Sequence, residues 1–487
     1  MTRSLRGECP QRNPCADMLD YDDTIAIDEV DAAPALRQTL RRRVQRALTT
    51  RSTQGPRVVC VTVNVDAVNP LEWLRAQSHS EQLYWGGRSV ASAVAAVGVA
   101  DRLQAATDAD PDQPALEQQL QTRFDQADAD AAIRYYGGWV FDPEQPLDGG
   151  WGAFGTHRFV LPRFELRADT SGEATLACNL ILPRDTDRAE AIFDAIDQLV
   201  WPADASPVDL PAAVARTNRP RRAAWLRMVR WALDRIDDEA LDKVVLARQS
   251  TFDFLDSLAP ADLLHRLHTA TPNCFHFLVQ PEDATAFVGA SPERLVCRQG
   301  DRVLTEAVAG TRSRGDSARA DAALRDELME SEKDRREHAF VADAIRQRLE
   351  ALCTTVEQDR SASEMRLARG RHLRSQFQGR LHNGVSTLDV VRRLHPTPAI
   401  GGVPTEAAVR AIRDQEPFAR GWYAGPVGWI GPDEAEFAVA IRSGLVRDNT
   451  LALYSGAGIV EGSEPEAEWD EIEQKIGDFA AVLDLSL

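Results

Sequence analysis

The chain has 487 residues and a formal net charge of −19, which opposes binding to a nucleic-acid backbone or an anionic membrane surface. Its 44% apolar content supports a full-sized core, and no uninterrupted apolar run reaches the roughly 18 residues of a spanning helix. The seven cysteines, at 9, 15, 60, 178, 274, 297 and 353, show no CxxC or Cys/His spacing, so they read as reduced thiols of a cytoplasmic protein rather than disulfides or a zinc site.

The first residues lack the apolar core of a signal peptide, and residues 1–20, polar and without periodicity, are expected to be a mobile tail. Residues 21–215 are expected to form an N-terminal lobe. In it an Arg-rich helical pattern over 34–48 leads into a strand over 57–63. The segment 100–135, rich in Asp, Ala and Gln, reads as helices joined by a loop, and 200–220 as a surface linker. Residues 220–487 form the second region, opening with a helix over 221–237. The runs Phe275-His276-Phe277-Leu278-Val279 and Ala286-Phe287-Val288-Gly289 flank Gln280-Pro281-Glu282-Asp283, a hairpin signature that implies antiparallel pairing. Strand runs recur at 435–442 and 451–460. Strands grouped with helices between them, without strict β-α alternation, predict an α+β fold rather than a doubly wound parallel sheet.

Of the 56 Lys and Arg residues only three are lysine, at 243, 333 and 475. Lys243 opens a β-branched run with Val245 and Ala247 on its own face. An ammonium among apolar neighbours can give up its proton and act as a base, which a guanidinium cannot; a surface lysine at a strand end is the plain alternative. Glu293 follows Pro292, which restricts the local backbone; it is either an aimed acid or a loop carboxylate paired with Arg294. Over 331–352 the residues Val341, Ile345, Leu349 and Cys353 recur every fourth position, and Glu337 precedes that stripe, so its carboxylate points inward and needs a partner. His338 beside it is a core or a functional histidine.

Ser463-Glu464-Pro465-Glu466 reads as a capping box opening a last helix, on which Glu468, Glu471 and Lys475 share a face. Acids in a first turn are common for dipole reasons alone, but carboxylates from two helix starts also suit a hard ion such as Mg²⁺. An acidic protein that binds an anion needs such a cation or concentrated positive charge. Gly456 and Gly458 read as places where backbone amides approach an anion, and Arg442, ending the 438–442 strand, as a carboxylate grip.

In order, the segments 243–248 (KVVLAR), 289–295 (GASPERL), 305–311 (TEAVAGT), Glu337-His338, 394–402 (LHPTPAIGG), 421–428 (GWYAGPVG), 440–442 (AIR) and 456–460 (GAGIV) through Lys475 resemble the chorismate-utilising enzymes, which include anthranilate synthase component I and the aminodeoxychorismate, isochorismate and salicylate synthases. The resemblance is dense over 220–487. It implies large antiparallel sheets forming a central sandwich with helices packed outside. Lys243 in the first motif is similar to the isochorismate-forming branch, Ala309 stands where aminodeoxychorismate synthases carry a nucleophilic Lys, and 397–402 (TPAIGG) also resembles the isochorismate-forming enzymes. In the N-terminal lobe, Tyr84-Trp85, Trp151-Gly152-Ala153-Phe154 and Leu161-Pro162-Arg163 resemble those of menaquinone or siderophore pathways.

The resemblance implies Lys243 as base and Glu293 as acid for moving a hydroxyl from C4 to C2 of chorismate. It places Mg²⁺ on Glu337, Glu471 and Glu468, and chorismate on Arg442, Tyr423, the Gly456–Ala457–Gly458 segment, Lys475 and Thr311, with His395 near the ring. No amidotransferase subunit is expected, and the chain is expected to be a monomer or weak homodimer. Salicylate synthase, anthranilate synthase component I and a chorismate-binding regulatory paralogue are the competing readings.

Overall fold

The computed structural model describes residues 32–49, 55–66, 68–88, 92–105, 115–128, 131–169, 173–202, 208–483 and 485; the tail expected at 1–20 lies outside them. The chain opens with helix α1 (Ala32–Thr49), strand β1 (Arg57–Asp66) and helix α2 (Pro70–Arg75). Strands β2 (Gln82–Gly86) and β3 (Ser92–Ala105), helix α3 (Leu116–Asp125), strands β4 (Tyr135–Trp139), β5 (His157–Asp169) and β6 (Glu173–Leu182), and helix α4 (Ala189–Gln198) follow. Next come β7 (Ala213–Arg219), α5 (Arg222–Asp237), β8 (Lys243–Phe254), α6 (Pro260–Ala270), β9 (Phe275–Glu282), β10 (Thr285–Ser291), β11 (Arg294–Gln299) and β12 (Arg302–Ser313). Helices α7 (Ala318–Glu330) and α8 (Glu332–Glu350) lead to β13 (Cys353–Gln358), β14 (Ser363–Arg366) and β15 (Gly370–Leu381). The chain continues through α9 (Thr387–Leu394), β16 (Gly402–Val403), α10 (Thr405–Gln415), β17 (Pro426–Ile430), β18 (Glu434–Val439), β19 (Ser443–Arg447), β20 (Thr450–Ile459) and α11 (Pro465–Val482).

Every pairing between these strands is antiparallel, as the α+β reading requires, and the sheet forks at β5. One edge of β5 pairs with β3; the other meets β4 through residues 157–160 and β6 through 164–168. From β3 one arm runs β2, β9, β10, β19, β20, β8, β7. From β4 the other runs β17, β18, β11, β12, β15. The arms share one apolar core, with ring contacts of Trp151 and Phe154 to Phe287 and of Phe154 to Trp422 at its middle. The β2–β9 and β4–β17 ladders join strands from before and after residue 215, so the boundary expected there divides the sequence and not the sheets. Part of the expected linker, 203–207, lies outside the described residues.

The helices lie against these sheets through the stripes the sequence carries. Leu36, Leu40, Val44 and Leu48 bury one face of α1, and Val341, Ile345 and Leu349 one face of α8. The Ser331 hydroxyl caps α8, accepting from Asp334 N at 3.2 Å. Two expectations fail. Residues 100–105 complete β3, whose Asp101, Leu103 and Ala105 are buried while Arg102 is exposed, so of the expected helices only α3 is present among the described residues. The capping box at 463–466 is not formed: Pro465 takes the first helical position, which leaves Ser463 one residue outside, and its hydroxyl accepts from Val460 N instead.

Candidate active site

Strand β8 runs between β16 and β20, with Val403 opposite Lys243 and Ile459 opposite Val244. That position buries Lys243 to 2% exposure. Its Nζ donates to Glu337 Oε1 at 2.9 Å, an ion pair that joins β8 to α8. Glycines make room for it. A side chain at Gly458 would begin 3.0 Å from Lys243 Cε, and one at Gly402, where φ is +148°, would begin 2.2 Å from the Lys243 carbonyl.

Lys243 itself does not line, but its neighbours Gly458 and Glu337 do line, a cavity of about 1180 Å³, above the roughly 300–1,000 Å³ usual for small-molecule sites. Glu293 lines the same cavity and is 5% exposed. Burial, reinforced by the negative charge of Glu306 and partly offset by Lys243, pushes its carboxyl up to about 8, so it holds a proton at neutral pH. Arg294 does not discharge it: Arg294 opens β11, Glu293 precedes that strand, and Arg294 reaches Glu436 at 3.2 Å and Glu306 at 3.5 Å. The alternative reading of a Glu293–Arg294 pair is thereby excluded.

Beyond Glu293 the wall carries Thr311, Tyr423, Arg442, Gly456, Glu468, Glu471 and Lys475. Arg442 lies past the end of β18 rather than within a strand, at φ +49°, where the bend turns its guanidinium to His372 Nε2 at 2.9 Å. His372 Nδ1 is 3.1 Å from both Gly310 O and Thr311 Oγ1. Burial, then the charge of Arg442, pushes this imidazole down to about 3. The neutral ring therefore carries its proton on Nδ1 and accepts from Arg442 on Nε2. The Tyr423 ring stacks on Tyr454 at 5.1 Å, and burial keeps its hydroxyl protonated. On α11, Lys475 Nζ contacts Glu471 at 2.7 Å and the Gly456 carbonyl at 3.1 Å.

The geometry amends three expectations. Gly456, Ala457 and Gly458 lie within β20, the expected 451–460 strand, paired to Ala247, Leu246 and Val245, but Ala457 is fully buried off the cavity wall. His395 is also absent from that wall, because its Nε2 turns to the Phe141 carbonyl at 3.1 Å and its ring packs edge-on to Phe141. Glu337, Glu468 and Glu471 face one cavity, but each of two is turned to a lysine, Glu337 to Lys243 and Glu471 to Lys475; among the described residues no three His, Cys, Asp or Glu side chains gather closely enough to hold a metal ion. The donors are carboxylate oxygens from two helices, the chemistry of a hard cation. His372, Glu306 and Arg88 are additions that the sequence reading passed over. Glu306 lies inside the quoted TEAVAGT segment, and a glutamate in a β-branched strand was the signal available.

The chain belongs to the chorismate-binding enzymes: the family model described as chorismate binding enzyme matches residues 42–484. It is 32% identical over 440 residues to the isochorismate synthase MenF of Escherichia coli, covering 89% of this chain and 95% of that protein. It is 36% identical over 362 residues to the chloroplastic isochorismate synthase of Catharanthus roseus, covering 72% of this chain but only 62% of the plant protein. The solved structure of MenF, the menaquinone-specific isochorismate synthase of Escherichia coli, superposes with a TM-score of 0.79 at 30% identity, over 92% of this chain and 99% of that one.

Glu293 makes stability depend on pH. The native state keeps a proton that the unfolded chain releases in the ordinary carboxylate range, so the fold weakens as pH rises from that range to about 8 and no further above it. Glu293→Gln should therefore gain urea midpoint relative to the parent as pH is raised from about 5 to about 8.5. A difference that stays constant across that window would mean Glu293 is ionised in the native protein.

Proposed function

We propose that this chain converts chorismate to isochorismate, as an isomerase, with Lys243 and Glu293 as base and acid. The observation that carries this reading is a carboxyl on the cavity wall kept protonated by burial and Glu306, together with a buried lysine, itself off that wall, bonded to the wall residue Glu337. Water attacks C2 of the ring and gives a proton to the Lys243 amine; the double bond shifts, the C4–O bond breaks, and the departing hydroxyl leaves as water with the proton of Glu293. Lys243 acts from its neutral form, so its ion pair with Glu337 has to open before water is activated. Arginine in its place would keep its proton.

Arg442, oriented by neutral His372, and the Tyr423 hydroxyl bind the enolpyruvyl carboxylate, with Thr311 and Lys475 completing the polar wall. Glu337, Glu468 and Glu471 would hold Mg²⁺, which when bound would grip the ring carboxylate and draw charge from it. A cation also answers the electrostatics of a dianion entering a protein of net charge −19. The five free cysteines among the described residues suit a reducing, cytoplasmic setting.

Incubation of the purified protein with chorismate and Mg²⁺ should yield isochorismate as the main product, and EDTA should stop it. Salicylate with pyruvate as the main products would replace this reading with a lyase, and full activity in EDTA would remove the metal. Lys243→Ala should lose roughly 100- to 10,000-fold in turnover, and Lys243→Arg should fare little better. Near-parental turnover by Lys243→Arg would make the lysine a positional cation.

A further inference from the structure

The residues behind Glu293 form a network that the reaction above does not use. Glu306, on β12, is 2% exposed, yet it is ionised. Burial raises its carboxyl, but hydrogen bonds and charge from Arg88, with the charges of Arg294 and Arg374, outweigh that and hold it near 2. Arg88 stands just past the end of β2. Its Nη1 and Nη2 grip the two Glu306 oxygens at 2.6 and 2.5 Å, and Nη1 also donates to the Pro292 carbonyl at 2.8 Å. Arg294 lies 3.5 Å and Arg374 3.9 Å from Glu306, and Gln376 Nε2 donates to it at 3.3 Å.

We propose that Arg88 is a positioning residue for Glu293: its guanidinium clamps the peptide that carries the acid and fixes the buried carboxylate of Glu306 behind it. Pro292 and Glu293 are adjacent, so a bond to the Pro292 carbonyl acts one residue from the reacting group. The planar fork makes the bidentate grip and the third bond together, which an ammonium cannot. Neither Arg88 nor Glu306 lines the cavity, so the effect falls on the acid and not on substrate contacts. The charged groups set around Glu293 are Lys243 from β8, Glu306 from β12, the neighbouring Arg294 at the start of β11 with Glu436 from β18 beyond it, Arg374 from β15, Arg88 after β2, and His338 from α8, which packs at Ala307. Of these, Glu306 is the one whose charge favours the protonated acid.

This inference rests on Glu293 being the acid of the proposed reaction, so the parent protein is assayed beside each variant. Arg88→Gln should lower kcat roughly 10- to 100-fold, the size of effect a displaced reacting group produces, with KM within about threefold of the parent. Arg88→Lys, which keeps the charge but not the fork, should recover only part of that loss and is the variant read if Arg88→Gln does not fold by circular dichroism. Glu306→Gln should move the alkaline limb of the kcat profile to lower pH, and a direct ¹³C titration of the Glu293 carboxyl, assigned with Glu293→Gln, should move the same way without any turnover. An active parent with Arg88→Gln or Arg88→Lys matching its kcat, or with Glu306→Gln leaving both titrations in place, would overturn the role of Arg88 while sparing the reaction. A parent that makes no isochorismate would overturn both.

Discussion

A buried carboxyl keeps its proton only while no cation comes close enough to take it, and the site is built around that constraint. The arginines near Glu293 are all committed elsewhere: Arg88 and Arg374 to Glu306, Arg294 to Glu306 and Glu436. What Glu293 meets is burial and the negative charge of Glu306, against one opposing cation, Lys243. The acid thus owes its protonation first to burial and then to a carboxylate whose ion pairs lie off the cavity wall. The base side is organised the other way, with Lys243 buried in a strand and held by a carboxylate on a helix. An addition of water coupled to loss of hydroxyl demands opposed protonation states on the two groups, so the Lys243–Glu337 pair must open before the proposed base can act.

That arrangement depends on the strand order. Lys243 can be buried at the start of β8 because β16 and β20 flank it with glycine, leaving space for its stem and its carbonyl. Helix α11, which carries Glu468, Glu471 and Lys475, is tied to the same strand by Arg248, whose guanidinium stacks on Trp469 at 4.2 Å and pairs with Glu473 at 2.9 Å. Lys475 closes the contact on the Gly456 carbonyl. The KVVLAR segment therefore holds the proposed base at one end and anchors the acidic helix at the other.

Local patterns carried the antiparallel hairpin of β9 and β10, the four-residue stripe of α8 and the oddity of lysine in an arginine-rich chain, because each is written within a few neighbours. The resemblance supplied Glu293 and the carboxylates on α8 and α11. What remained illegible depends on contacts far apart in sequence. His372 becomes part of the site only when β15 lies against β12 and brings it opposite Thr311. Arg88 reaches Pro292 across 204 positions. The left-handed turn at Arg442 looked like the end of a strand, and the glycines of β20 looked like an anion cradle, because close packing and such cradles draw on the same residue. His395 sits in a motif shared with relatives, yet its ring faces Phe141.

The central claim is that solvent water, activated by Lys243, replaces a hydroxyl that leaves with the proton of Glu293. Turnover of chorismate in H₂¹⁸O with Mg²⁺, followed by mass spectrometry of the isochorismate formed, tests it most directly. The account predicts one ¹⁸O atom in the product, at the C2 hydroxyl. Isochorismate that retains only the original oxygen would show an internal transfer, and the paired roles of Lys243 and Glu293 would fall with it.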